Sequence, residues 1–152
     1  MTEPITARQF HFSSGVEDWR VADGGACAYF PTGSFAAGAR LVQAISQLPG
    51  LDDQAPDVDL RSDGVFVRLF TTAPAPDGLS SRDVELARLI SAAAQRLGLT
   101  AQPAEARVAA AVAAGGRVVS DEMAPSGWVL ADPEGNEACV ATWIGTDGRG
   151  YP

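Results

Sequence analysis

The tight turn Ser62-Asp63-Gly64, set between the alternating segment Asp57–Arg61 and the apolar run Val65–Phe70, constrains this chain more than any other feature. The run from Val65 is the strongest strand pattern present, and so short a turn returns its neighbour beside it as a hairpin. Helical stretches flank the hairpin. Ahead of it, Ser34 offers an N-cap, and Phe35, Ala39, Leu41, Val42, Ile45 and Leu48 recur at helical spacing until Pro49-Gly50. Behind it, the prolines and glycine of 72–78 make a loop. Ser80 or Ser81 then caps a helix with Val84, Leu86, Ala87, Ile90, Ala94 and Leu97 as its buried face, closed by Gly98. Asp83 falls in that helix's first turn, where an acid interacts favourably with the helix dipole. An earlier strand, Ala26–Phe30, follows the Gly24-Gly25 turn. The order strand, helix, hairpin, helix fits an α+β fold, with an antiparallel sheet covered on one face by two helices. Residues 1–15 read as a polar, partly extended segment, and 16–100 as the domain.

Composition then closes several functional classes. The 152 residues suffice for one domain, or for a small domain with an appendage. No apolar run is long enough to span a bilayer, and Met-Thr-Glu-Pro-Ile-Thr is no signal peptide, so a cytoplasmic protein without a membrane partner is expected. A net charge of −8 argues against nucleic acid, whose phosphates need clustered cations. All 11 basic residues are arginine, which excludes Schiff-base and P-loop lysine chemistry. The one histidine, His11, supplies neither a multi-histidine metal site nor a histidine pair for proton transfer. Cys27 and Cys139 are too few for a disulfide framework and read as small buried hydrophobes.

The stretch Asp52-Asp53-Gln54-Ala55-Pro56-Asp57-Val58-Asp59-Leu60, the strand Val65–Thr72 and the helix start Gly78-Leu79-Ser80-Ser81-Arg82-Asp83 together resemble the core signature of the pterin-4a-carbinolamine dehydratases. In that family a His-His-Pro-Asp/Glu turn leads to a strand ending in Thr-His, then to Gly-Leu-Thr/Ser-x-x-Asp. Here the proline, the acid, the strand and the helix start stand in place, while every histidine is missing. Gln54 and Ala55 occupy the two histidine positions, and the Thr-His position falls at Ala73 or Pro74. The resemblance implies a pocket for a pterin or similar flat heterocycle, lined by Trp19, Gln54, Pro56, Thr72 and Asp83, with no cofactor. Glutamine binds through hydrogen bonds but transfers no proton at neutral pH. Asp53 and Asp57 are the candidate catalytic groups, provided burial or mutual repulsion raises a carboxyl pKa. Beside these roles stand plainer ones: Asp53 and Asp57 as solvated turn residues, Asp83 as a dipole-compensating acid, Trp19 as a core anchor.

Residues 101–152 read differently. An alanine-rich helix at 104–114 ends in Gly115-Gly116, a strand covers 117–120, and Trp128–Ala131 and Glu137–Trp143 form a hairpin around Asp132-Pro133-Glu134-Gly135. This segment resembles the close of a glyoxalase-like, vicinal-oxygen-chelate module, and bacterial fusions of dehydratase-like and full glyoxalase-like domains are known. Only part of such a module is expected here. In metal-binding members of that superfamily a glutamate on the final strand ligates the metal. By register that position is Cys139, so no metal centre is expected. Helix and hairpin need a surface to dock on, and a homodimer is expected. Three functional readings stand: a dehydratase-like pterin binder with reduced or lost activity; a hydro-lyase working through Asp53 or Asp57; and a non-enzymatic dimerisation or small-molecule-sequestering protein related to glyoxalase-like domains.

Overall fold

The computed structural model describes residues 3–22, 24–72, 78–102, 104–122 and 127–141. The chain is α+β and falls into two compact units, Met1–Gln102 and Pro103–Pro152.

The first unit opens with helix α1 (Ala7–Phe12), where the sequence reads as extended. The signal is a capping box. Thr6 N–H donates to Gln9 Oε1 at 2.8 Å, and Gln9 N–H returns to Thr6 Oγ1 at 3.2 Å. That closes a helix whose one buried residue is Phe10. Strands β1 (Arg20–Ala22) and β2 (Gly25–Pro31) follow, then α2 (Phe35–Ser46), β3 (Asp57–Leu60), β4 (Gly64–Leu69) and α3 (Ser81–Arg96). The four strands are antiparallel neighbours in the order β1-β2-β4-β3. Ser34 caps α2, its Oγ accepting from Ala37 N–H at 3.2 Å. Gly50, at φ +83°, turns the chain after that helix and lies against Arg82, whose Nη2 donates to its carbonyl at 2.6 Å.

Alternation along the strands sorts the sheet into two faces. Ala26, Ala28, Phe30, Val65, Val67 and Leu69 are buried on one. Against this face lies α2, so close at Gly38 that a Cβ there would run into Leu60 and Val65. Helix α3 packs on α2 and β4. Trp19, fully buried, meets Phe30 in a T-shaped contact with ring centroids 6.5 Å apart and donates Nε1–H to Ser91 Oγ of α3 at 3.0 Å. A buried indole needs such a partner for its N–H. The opposite face carries Cys27, Tyr29, Phe66 and Arg68, all partly exposed, with Asp57 and Asp59 exposed at the β3 edge.

The second unit consists of α4 (Ala104–Ala113), β5 (Arg117–Ser120), β6 (Gly127–Ala131) and β7 (Glu137–Ala141), with an antiparallel sheet in the order β5-β6-β7 and a bulge between Val118 and Ser120. The β6–β7 turn is tied by Asp132, whose Oδ1 accepts from the N–H groups of Glu134 and Asn136 at 2.9 and 2.8 Å. Leu130 and Ala131 are its buried apolar residues among those described. Trp143 and Thr142, which extend the hairpin in the sequence pattern, lie outside the described residues. Among the described residues no helix is long and apolar enough to cross a membrane.

Candidate functional site

Two of the residues singled out in the sequence do meet. The loop between α2 and β3 carries Gln54 to the end of β4 and the start of α3. There its Nε2 donates to Phe70 O at 3.1 Å, Thr71 Oγ1 at 3.2 Å and Asp83 Oδ1 at 2.5 Å. The second carboxyl oxygen of Asp83 accepts from Thr71 Oγ1 at 2.8 Å, Ser80 N–H at 2.7 Å and Ser80 Oγ at 2.9 Å. Asp83 is fully buried and Ser80 nearly so. The cluster therefore works as a latch: it ties one loop, one strand end and one helix cap through a carboxyl group sealed from solvent.

The other candidates lie elsewhere. Thr72 is exposed, and the neighbouring Thr71 makes the hydrogen bonds. Asp53 and Asp57 are exposed and Pro56 is half-buried. Trp19 is enclosed in the core, with its indole N–H already engaged. Ala73 and Pro74 lie outside the described residues.

A second group of side chains escapes sequence reasoning because strand register assembles it. On the face of the four-stranded sheet away from α2, Arg20, Cys27, Arg68 and Asp57 form one cross-strand row, and Tyr29, Phe66 and Asp59 form the next. Directly opposed pairs on one face of a sheet stand about 5 Å apart. Two glycines shape this face. Gly25 is buried under the Arg68 side chain, and a Cβ on Gly64 would overlap the Tyr29 ring. Arg68 and Tyr29 accordingly lie down along the sheet rather than standing off it. The Arg68 guanidinium also sits over the Phe70 ring, 5.6 Å from its centroid. Between these two flat side chains the face carries Cys27 and Phe66. The latch supports this arrangement, because Gln54 holds the carbonyl of the same Phe70. Alternation marks which residues share a face, but the close approach of Arg68 to Gly25 and Tyr29 to Gly64 depends on inter-strand pairing that periodicity does not specify.

A family model for the glyoxalase-like domain matches residues 7–141. This chain belongs to the glyoxalase-like family. No curated protein and no solved structure compared with the chain matches it. The family match corrects the resemblance to pterin-4a-carbinolamine dehydratases: it runs through both units, and no dehydratase family matches. The glyoxalase-like character is accordingly not confined to a C-terminal remnant. The dehydratase likeness rested on Pro56, Asp57 and the Gly78–Asp83 helix start, a short stretch that hairpin and cap chemistry produce by themselves. With the dehydratase reading goes the reason for assigning a pterin pocket to Trp19, Gln54, Pro56, Thr72 and Asp83, and dehydration to Asp53 and Asp57.

Among the described residues the donors do not gather into a metal centre of the kind some glyoxalase-like proteins carry. The one histidine sits in α1, where its Nε2 accepts from Val21 N–H at 3.3 Å. Burial, then the nearby Arg20 charge, lowers its pKa to about 4. Among the described residues no three His, Cys, Asp or Glu side chains converge. The side chain of Cys139 on β7 lies outside them.

Proposed function

We propose that this glyoxalase-like protein binds a small molecule on the face of its four-stranded sheet away from α2 and holds it without chemical conversion. The observation that carries this reading is the face itself. Tyr29, Phe66 and Arg68 are partly exposed side chains, two of them laid flat over glycines, on a sheet whose other face is filled by α2 and α3. Aromatic area beside a few directed polar groups is the ordinary composition of small-molecule sites. Holding rather than converting is supported by the sealed position of Asp83 and the exposure of Asp53 and Asp57, since proton transfer needs a poised group within reach of the ligand.

The test is a thermal-shift screen of small aromatic and aliphatic compounds on the full chain, followed by amide-resolved NMR titration of the hits. A ligand at a hundred times its Kd stabilises by about 2.7 kcal/mol. Expected is a hit that perturbs the amides of Cys27, Tyr29, Phe66 and Arg68 and is recovered unchanged. A hit that maps to α2 and α3, or one consumed on incubation, overturns the proposal.

The homodimer belongs to the same proposal. It is supported by the edge strand β5, where Val118 and Val119 are 40% and 45% exposed. Such an edge is open to pairing with a second copy. Light scattering that returns a monomer mass at all concentrations tested removes this part.

A further inference from the structure

We propose that two copies of this chain join through β5, antiparallel about a two-fold axis at Val119, so that Arg117 of each copy stands opposite the partner's Asp121 and the two α4 helices cover one another. This inference rests on the homodimer proposed above and gives it a surface and a register. One observation lies on the helix and one on the strand. From Val108 to Ala114 the chain holds only valine and alanine. Of these, Ala109, Ala110, Val112 and Ala113 are exposed, Val112 by 44%. A helix that is apolar all round belongs in an interior. Packing across β5, β6 and β7 covers one side of α4, and the bare side calls for a second cover.

The strand says what that cover is. As the outer strand of the β5-β6-β7 sheet, β5 has one edge without a neighbour in that sheet. Its run Arg117-Val118-Val119-Ser120-Asp121 sets a cation at one end, an acid just past the other and two valines between. Arg117 and Asp121 are exposed, and among the described residues neither has an ion-pair partner. Antiparallel pairing centred on Val119 faces Val119 with its own copy, Val118 with Ser120, and Arg117 with Asp121, the last twice by symmetry. Opposite charges set directly across a strand pair attract. Sliding one residue one way faces Arg117 with Ser120 and loses both pairs. Sliding the other way faces Arg117 with Glu122 but sets Val118 against Asp121. The charges therefore select one register. The bulge between Val118 and Ser120 selects the partner, because it sharpens the local twist and so discourages a flat foreign strand. A second copy brings the same twist. A two-fold axis normal to the joined sheet leaves both α4 helices on one face, and the small side chains between them permit close approach.

Sedimentation equilibrium of the full chain and four variants tests this. The unaltered chain is expected to dimerise. Arg117→Asp and Asp121→Arg are each expected to weaken the dimer about tenfold or more, because two attractions become two repulsions. The double variant carrying both changes is expected to return to the affinity of the unaltered chain. Val119→Lys, which sets two cations face to face on the axis, is expected to leave monomer. Recovery in the double variant shows that the single changes act through charge rather than through unfolding, and Val119→Lys reads the same surface should a charge swap fail to fold. Weakening by both single swaps without recovery in the double variant overturns the register. A dimer as tight in Val119→Lys as in the unaltered chain overturns the β5 surface and leaves a homodimer joined elsewhere. A full chain that is monomeric at every concentration overturns both, and protection of the α4 amides from hydrogen exchange in that monomer would assign the cover to residues of the same chain.

Discussion

At the scale of single residues, the buried carboxyl of Asp83 decides most. It accepts from Gln54, Thr71 and Ser80, so its removal takes an acceptor from four buried or half-buried donor groups on three residues. Asp83→Ala is expected to cost about 2–4 kcal/mol, from the unpaired donors and the lost cap together. Thr72→Ala, at the exposed neighbour of Thr71, is expected to stay within about 0.5 kcal/mol. Urea denaturation of both variants checks the pair, and equal midpoints would show that the latch is not structural. His11 gives the second expectation. Its pKa, lowered to about 4 by burial and then by Arg20, lies below the ordinary imidazole value of 6.5. Between these values the unfolded chain takes up a proton that the folded chain refuses. Stability from the neutral imidazole is therefore full above about pH 6.5 and declines as pH falls toward 4. His11→Asn is expected to flatten that part of a melting-temperature profile. An unchanged slope would assign the acid sensitivity to other groups.

At the scale of elements, much was legible in the sequence, and the reasons differ from one element to the next. The caps at Ser34 and Ser80 and the glycine stops after α2 and α3 are local chemistry, readable from neighbours in the chain. The α+β class followed from periods of 3.6 and 2. Helix α1 was missed because its signal is one capping box and one buried Phe10 within a polar stretch. The sheet face was missed for another reason: Arg20, Cys27, Arg68 and Asp57 are scattered over some fifty positions and meet only through register. The glycines of that face supply a test at this scale. Gly64→Val places two methyl groups where the Tyr29 ring lies. Overpacking of this kind costs about 1–3 kcal/mol, and the ring must lift from the sheet. Ligand binding at the face is expected to weaken while the far-ultraviolet spectrum is kept. Unchanged affinity in a folded Gly64→Val protein would exclude Tyr29 from the binding surface.

At the scale of the whole molecule, the family match and the two compact units pull in different directions, and the division of the core arbitrates. The match runs over residues 7–141 and so takes in both units. Yet among the described residues every buried apolar side chain except Leu130 and Ala131 belongs to 1–102, including Phe10, Trp19, Phe30, Leu41, Leu86 and Ile90. A four-stranded sheet with two long helices and an enclosed tryptophan has the material of an independent fold. A three-stranded sheet with one ten-residue helix is close to the lower limit of what folds alone. The backbone bond from Gln102 N–H to Tyr29 O, 2.8 Å, marks where the first unit ends and where a cut must not intrude. Separation between Gln102 and Pro103 is therefore expected to give a 1–102 chain that melts cooperatively and a 103–152 chain that does not. Circular dichroism melts of the two pieces beside the full chain measure this directly, with light scattering on the same samples. A monomeric 1–102 chain derived from a dimeric full chain would place the contact between copies on the second unit, as the exposed valines of β5 suggest. A 1–102 chain without a cooperative transition would show that the core needs residues beyond Gln102, and that the glyoxalase-like domain is one folding unit over its whole matched length.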